Sequence, residues 1–140
     1  MDNMINPDVA ALTANLTDVE VIAKTLDGEA GNQGTEGQIA VANVIATRAS
    51  LAWQGETTLR GVALHPYQFS CWLPGPDRDR ILKSTNPLCI PIAQSALDGT
   101  LADITNGADS YEVHGTQAYW AARLTPVATI GDQDFYRTRD

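Results

Sequence analysis

Basic side chains are scarce in this chain: nine Lys and Arg stand against 17 Asp and Glu, for a net charge of −8. No basic patch or stripe is visible, which excludes a nucleic-acid binder. Cysteine is nearly absent, with Cys71 and Cys89 alone. Two are too few for a disulfide framework and lack the close spacing of metal ligands. They read as buried thiols, with a single Cys71–Cys89 disulfide as the alternative. No apolar run approaches transmembrane length. The start, Met1-Asp2-Asn3-Met4-Ile5-Asn6-Pro7, has neither the basic segment nor the apolar stretch of a secretory signal. Histidine is rare, and neither His65 nor His114 has a second His or Cys at ligand spacing, so no metal or other cofactor is expected. No Gly-x-Ser-x-Gly elbow occurs, which weakens a serine-nucleophile reading.

What is present is an ordinary globular mix, 44% hydrophobic and 19% charged over 140 residues. That is enough for one core and too apolar for a disordered chain. Residues 1–16 read as a lead-in with a helical piece over 7–16, and residues 17–140 as one domain without linker or repeat.

Thr17-Asp18-Val19-Glu20 is a capping box, and Val19, Ile22, Ala23 and Leu26 follow at helical spacing. A helix is expected over 18–30, with Gly31 supplying the permissive backbone at its stop. Thr35-Glu36-Gly37-Gln38 reads as a second box, opening a run from Ile39 to Arg48 that is apolar almost all round. Such a run marks a buried central helix. Further helical pieces are expected over 57–64 and 77–83. Another ends at Gly99, starting near Asn86-Pro87 unless Pro91 delays it. Residues 67–76 form an irregular aromatic loop, 110–113 a short strand, and 129–136 a turn into a second strand.

Glu29 falls in the last turn of the first long helix, where the negative end of the helix dipole disfavours ionisation. Gly28, Ala30 and Gly31 leave room beside it for a substrate. A general acid needs that setting, although local physics alone does not separate Glu29 from an exposed helix-end glutamate. The aromatics Tyr67, Phe69, Trp72, Tyr111, Tyr119, Trp120 and Tyr136 suit sugar faces and cores equally. Gln68 and Asn106, in turn-rich segments, offer amides to a ligand, while Asn106-Gly107 is also an ordinary tight turn.

Four blocks carry a resemblance that spans most of the chain. The first is Ala23-Lys24-Thr25-Leu26-Asp27-Gly28-Glu29-Ala30 with the Ala-Val-Ala-Asn-Val-Ile core of the following helix. The others are Gln68-Phe69-Ser70-Cys71-Trp72, then Asp103-Ile104-Thr105-Asn106-Gly107-Ala108, and then Trp120-Ala121 with Ile130-Gly131 and Phe135-Tyr136. In order and spacing the chain resembles the spore cortex-lytic, SleB-like cell wall hydrolases, a family also found among phage and prophage endolysins. The resemblance implies a predominantly α, α+β single domain of the lysozyme and lytic transglycosylase kind. It implies cleavage of the β-1,4 bond between N-acetylmuramic acid and N-acetylglucosamine, with Glu29 as the catalytic acid. Substrate contacts are expected from Gln68, Phe69, Ser70, Trp72, Thr105, Asn106, Tyr111, Trp120 and Tyr136. The partner would be peptidoglycan glycan strands, met by a monomer at the cell wall after cytoplasmic synthesis and phage-type release.

Ser110 and Gln133 depart from the family, which commonly has histidine at both places. With one clear carboxylate, a lytic transglycosylase fits best. A hydrolytic muramidase needs a second acid, for which Glu36, Asp103, Asp109 and Glu112 are available. A wall-binding or phage structural module without catalysis is the reading of a different class. An amidase or peptidase needs a metal set or a Cys-His pair, for which Cys71 with His65 or His114 is available.

Overall fold

The computed structural model describes residues 7–139. The first six residues of the expected lead-in lie outside the described residues. The helices are α1 Pro7–Thr13, α2 Asp18–Ala30, α3 Gly34–Ser50, α4 Leu59–Leu64, α5 Pro76–Lys83 and α6 Cys89–Asp98. The strands are β1 Ser110–Val113, β2 Ala128–Ile130 and β3 Gln133–Tyr136, and short 3-10 turns occupy Trp53–Gly55, Ser70–Trp72 and Tyr119–Ala121. The chain is α-rich with one small sheet, as its residue pattern predicts.

α2 is the axis of the helical part. The Thr17 box forms: the Glu20 N–H donates to the Thr17 hydroxyl at 3.1 Å, and the Thr17 N–H donates to Glu20 at 2.8 Å. The helix then disappears into the core, with Val21, Ile22, Ala23 and Leu26 fully buried, and it packs against α3, α4, α5 and α6. Its buried polar groups are all engaged, as burial requires. Lys24 Nζ donates to the Ile81 carbonyl at 2.6 Å, and Asp27 accepts from Arg80 and from the Asn86 N–H. These bonds pin α5 and the approach to α6. Gly31 stands at the predicted stop, but for another reason. Its φ of −58° is ordinary, and a Cβ there would come within 2.5 Å of the Asp27 carbonyl oxygen.

α3 is the buried central helix, with Val41, Val44 and Ile45 fully enclosed. The expected Thr35 box does not form. The helix starts earlier, with Gln33 as its cap and no side-chain capping bond. The Gln33 side chain serves a distant partner instead, accepting the Asp132 N–H at 3.2 Å. α6 starts at Cys89, later than the Asn86-Pro87 pair suggests. Asn86 closes a separate turn by accepting the Leu88 N–H at 3.0 Å, and Pro91 is tolerated in the first helical turn.

The segment 129–136 holds a hairpin, one strand more than expected. The turn at Gly131, with φ +58°, separates β2 from β3. The sheet is antiparallel in the order β1-β3-β2, and β3 is buried along its length. Tyr111 pairs with Phe135, and Phe135 packs on Ala40 and Val44 of α3. α3 therefore sits between the helices on one side and the sheet on the other, and the cleft opens where they meet.

Cys71 and Cys89 are free and buried. The disulfide considered from sequence is not formed. Cys71 packs on Gly28 of α2, where a Cβ would lie 2.4 Å from the cysteine Cβ, while Cys89 opens α6. Burial pushes both thiols up, Cys89 to about 11.

Candidate active site

A cleft of about 430 Å³ is lined by Glu29 from the end of α2, Arg48 from α3, Trp53 and Gln54 from the turn after α3, Gln68 and Phe69, Ser110 and Tyr111 of β1, Trp120 and Thr138. Glu29 reaches it because α2 ends there, half-buried at the helix terminus. Its carboxyl receives two bonds. Tyr111 donates its hydroxyl at 3.0 Å, and the Cys71 N–H donates at 3.2 Å. Each is set by an element boundary: Tyr111 by its register with Phe135, and Cys71 by the 3-10 turn packed on Gly28. Gly28 therefore makes room for the protein's own Cys71, not for substrate.

Desolvation, with the charge of Glu29 and the bond to it, holds the Tyr111 phenol well above its ordinary value. Tyr111 stays a neutral phenol, able to donate to a carboxylate and to accept from a carboxylic acid. It fits Glu29 in either protonation state.

Arg48 is the second charged group of the cleft and is 7% exposed. Its Nε donates to the Asp109 carbonyl at 2.6 Å, and its guanidinium lies 4.3 Å over Trp53 and 5.6 Å from the Phe69 ring centre. Burial lowers its affinity for its proton, and Tyr111 and Asp109 act in the opposite direction.

Of the residues singled out from sequence, the structure brings Glu29, Gln68, Phe69, Tyr111 and Trp120 together. Others lie elsewhere. Trp72 is buried, with its indole N–H donating to Thr25 at 3.0 Å. Thr105 is fully buried in the turn that Asp103 organises. Asn106 has φ +57° and donates to the Val127 carbonyl. Ser70 is exposed beside Leu73 and Pro74 in a separate hollow. Tyr136 is buried, stands edge-on to Trp120 and donates to Glu112 at 3.0 Å. Glu112, Tyr136, His114 and Asp134 line a neighbouring cleft of about 440 Å³, where His114 pairs with Asp134 at 2.7 Å. His65 is buried against Glu56. Neither histidine lines the Glu29 cleft, and each is paired with a carboxylate instead.

Sequence reading missed Arg48, Trp53, Gln54 and Thr138. Arg48 carried a usable signal, as the one cation in an otherwise apolar helix run. The other carboxylates considered from sequence are committed elsewhere. Asp109 is buried and accepts from Thr138, Ser110 and Arg139. Asp103 holds its own turn, and Glu36 is exposed at the start of α3.

The chain matches two solved structures. One is the catalytic domain of the germination-specific lytic transglycosylase SleB from Bacillus anthracis, at 26% identity and a TM-score of 0.71 over 86% of this chain and 93% of that one. The other is the catalytic domain of the Bacillus cereus SleB protein, at 26% identity and a TM-score of 0.70 over 86% and 89%. No curated protein matches the chain. The Cell Wall Hydrolase family pattern matches residues 32–136, beginning just beyond Glu29. The chain therefore belongs to the cell wall hydrolase family, enzymes that cleave peptidoglycan.

Proposed function

We propose that the chain cleaves the β-1,4 bond between N-acetylmuramic acid and N-acetylglucosamine as a lytic transglycosylase, with Glu29 as its acid and then its base. The observation that carries this reading is that Glu29 is the only carboxylate among the described residues lining its cleft. The lytic transglycosylase named among the solved structures supports the same reaction.

In this mechanism the Glu29 carboxyl protonates the bridging oxygen. The C1–O bond breaks, and the N-acetylglucosamine side leaves as an alcohol. The Glu29 carboxylate then takes the proton of the muramyl 6-hydroxyl as that oxygen bonds to C1. No water is consumed, so no second acid is needed to activate one. Tyr111 and the Cys71 N–H hold the carboxyl in place through both steps, while Gln68 and Trp120 contact the glycan and Phe69, buried in the core, backs the cleft wall. The site of action is the bacterial wall.

Mass spectrometry of digested peptidoglycan tests the reaction. The expected products carry 1,6-anhydromuramyl ends, and reducing muramyl ends alone would replace this mechanism with hydrolysis. Glu29→Gln should abolish turnover while the protein keeps its fold by circular dichroism. Turnover near the wild-type rate would remove Glu29 from its role.

A further inference from the structure

Arg48 has more binding capacity than the fold uses. A guanidinium offers five N–H donors. Among the described residues only Nε has an acceptor, a neutral carbonyl, and Nη1 is buried without one. Both nearby carboxylates are otherwise engaged: Glu29 by Tyr111 and Cys71, Asp109 by Thr138, Ser110 and Arg139. The cation is therefore more than nine-tenths buried at the wall of the cleft with no ion pair. A buried, unpaired charge is costly and gains strongly from an incoming anion.

The seat is built for this role. Trp53 covers the guanidinium from a turn whose neighbours Ala52 and Gln54 hold left-handed φ values of 52° and 51°. Non-glycine residues carry such strain where the surroundings impose it, commonly at binding sites. Trp53 is held in turn by an edge contact with His65, which is fixed by Glu56. A guanidinium kept rigid between rings has lost its freedom before ligand arrives, and its planar fork matches a carboxylate.

We propose that Arg48 binds the free lactyl carboxylate of a muramyl residue whose stem peptide has been removed. This rests on the glycan-cleaving reading. Every muramyl unit carries a lactyl ether. Its carboxyl is an anion on stripped strands and a neutral amide where the peptide is attached. The amide presents one uncharged acceptor, while the carboxylate supplies the missing charge and two acceptors. A preference for stripped strands places this cleavage after a reaction that hydrolyses the lactyl amide. It also gives a strongly acidic protein a local means of holding an anionic polymer.

The test compares glycan strands freed of stem peptides with the same strands after their lactyl carboxylates are converted to methylamides. Wild-type kcat/KM should be about 10- to 100-fold higher on the free carboxylates, chiefly through KM. Equal values would overturn the assignment. In Arg48→Met the ratio should fall to near one, with Arg48→Lys intermediate. If the arginine served only the fold, both rates would drop together and the ratio would persist, which would also overturn it. Should these variants fail to fold, the wild-type comparison still decides. If wild type cleaves neither strand, the glycan-cleaving reading falls and this inference with it.

Discussion

Tyr111 donates a hydrogen bond into the Glu29 carboxyl, and its ring is held 5.5 Å from that of Phe135. Tyr111→Phe removes the bond and keeps the packing. A hydrogen bond to a charged group contributes about 1.5–3 kcal/mol to the folded state, so urea unfolding should show a loss of up to that size, and kcat should fall about 10- to 100-fold as the Glu29 carboxyl loses its placement. Gly28 acts one step further back. A Cβ at this position meets the Cys71 side chain, whose backbone N–H is the other donor to Glu29. Gly28→Ala should destabilise by about 1–3 kcal/mol in urea unfolding, as overpacking does, and should lower kcat as Cys71 moves. Loss of stability with unchanged turnover would separate Cys71 from Glu29. In sequence, Gly28 and Glu29 are adjacent letters. Their division of labour, one facing the core and the other the cleft, follows from the 100° step between neighbouring residues on a helix.

At the scale of the element, the two boxes that look alike in sequence behave differently. Thr17 and Glu20 satisfy each other within three residues, so nothing distant competes. Thr17→Ala should cost about 1 kcal/mol, read as a lower urea midpoint with an unchanged slope. The Thr35 box is displaced because the chain enters α3 through Gln33, whose side chain is occupied by the hairpin turn at Asp132. That contact spans 99 residues, and no local rule weighs it. The hairpin itself was only half legible. Three residues of β2 are too few to show an alternating pattern, whereas β3 ends in the aromatic pair Phe135-Tyr136.

At the scale of the molecule, the cleft depends on the last described residues staying against the body. Thr138 lines the cleft and is held by Asp109, which also binds Arg139 and Ser110. Desolvation pushes the Asp109 carboxyl up, but the bonds from Thr138, Ser110 and Arg139 outweigh it and hold the group below its ordinary value. A depressed folded value means the stabilisation is complete above the unfolded value, near about 4, and is lost as pH falls through the lower folded value. Asp109→Asn should therefore be less stable than wild type by about 1–3 kcal/mol at pH 7, with the gap closing in acid. Urea unfolding at neutral pH and near pH 3 measures it, and a gap that is the same at both would rule out the ionised form as the source.

The sequence by itself determined the helix-rich class, the buried central helix, the first cap and β1, because these rest on periodicity and on contacts a few residues long. Its ordered blocks also pointed to the family. Tertiary structure alone decided which members of the blocks face the cleft. Trp72 and Trp120 are the same residue type in comparable blocks, yet one bonds Thr25 in the core and the other borders the cleft beside Tyr136. Glu29 was legible as a helix-end carboxylate, but its setting was not, because Tyr111 lies 82 residues away and is brought in only by the register of β1 with β3. The charge of Arg48 was visible from the start. That it is buried, stacked and left without an anion is a property of packing, which no stretch of sequence contains.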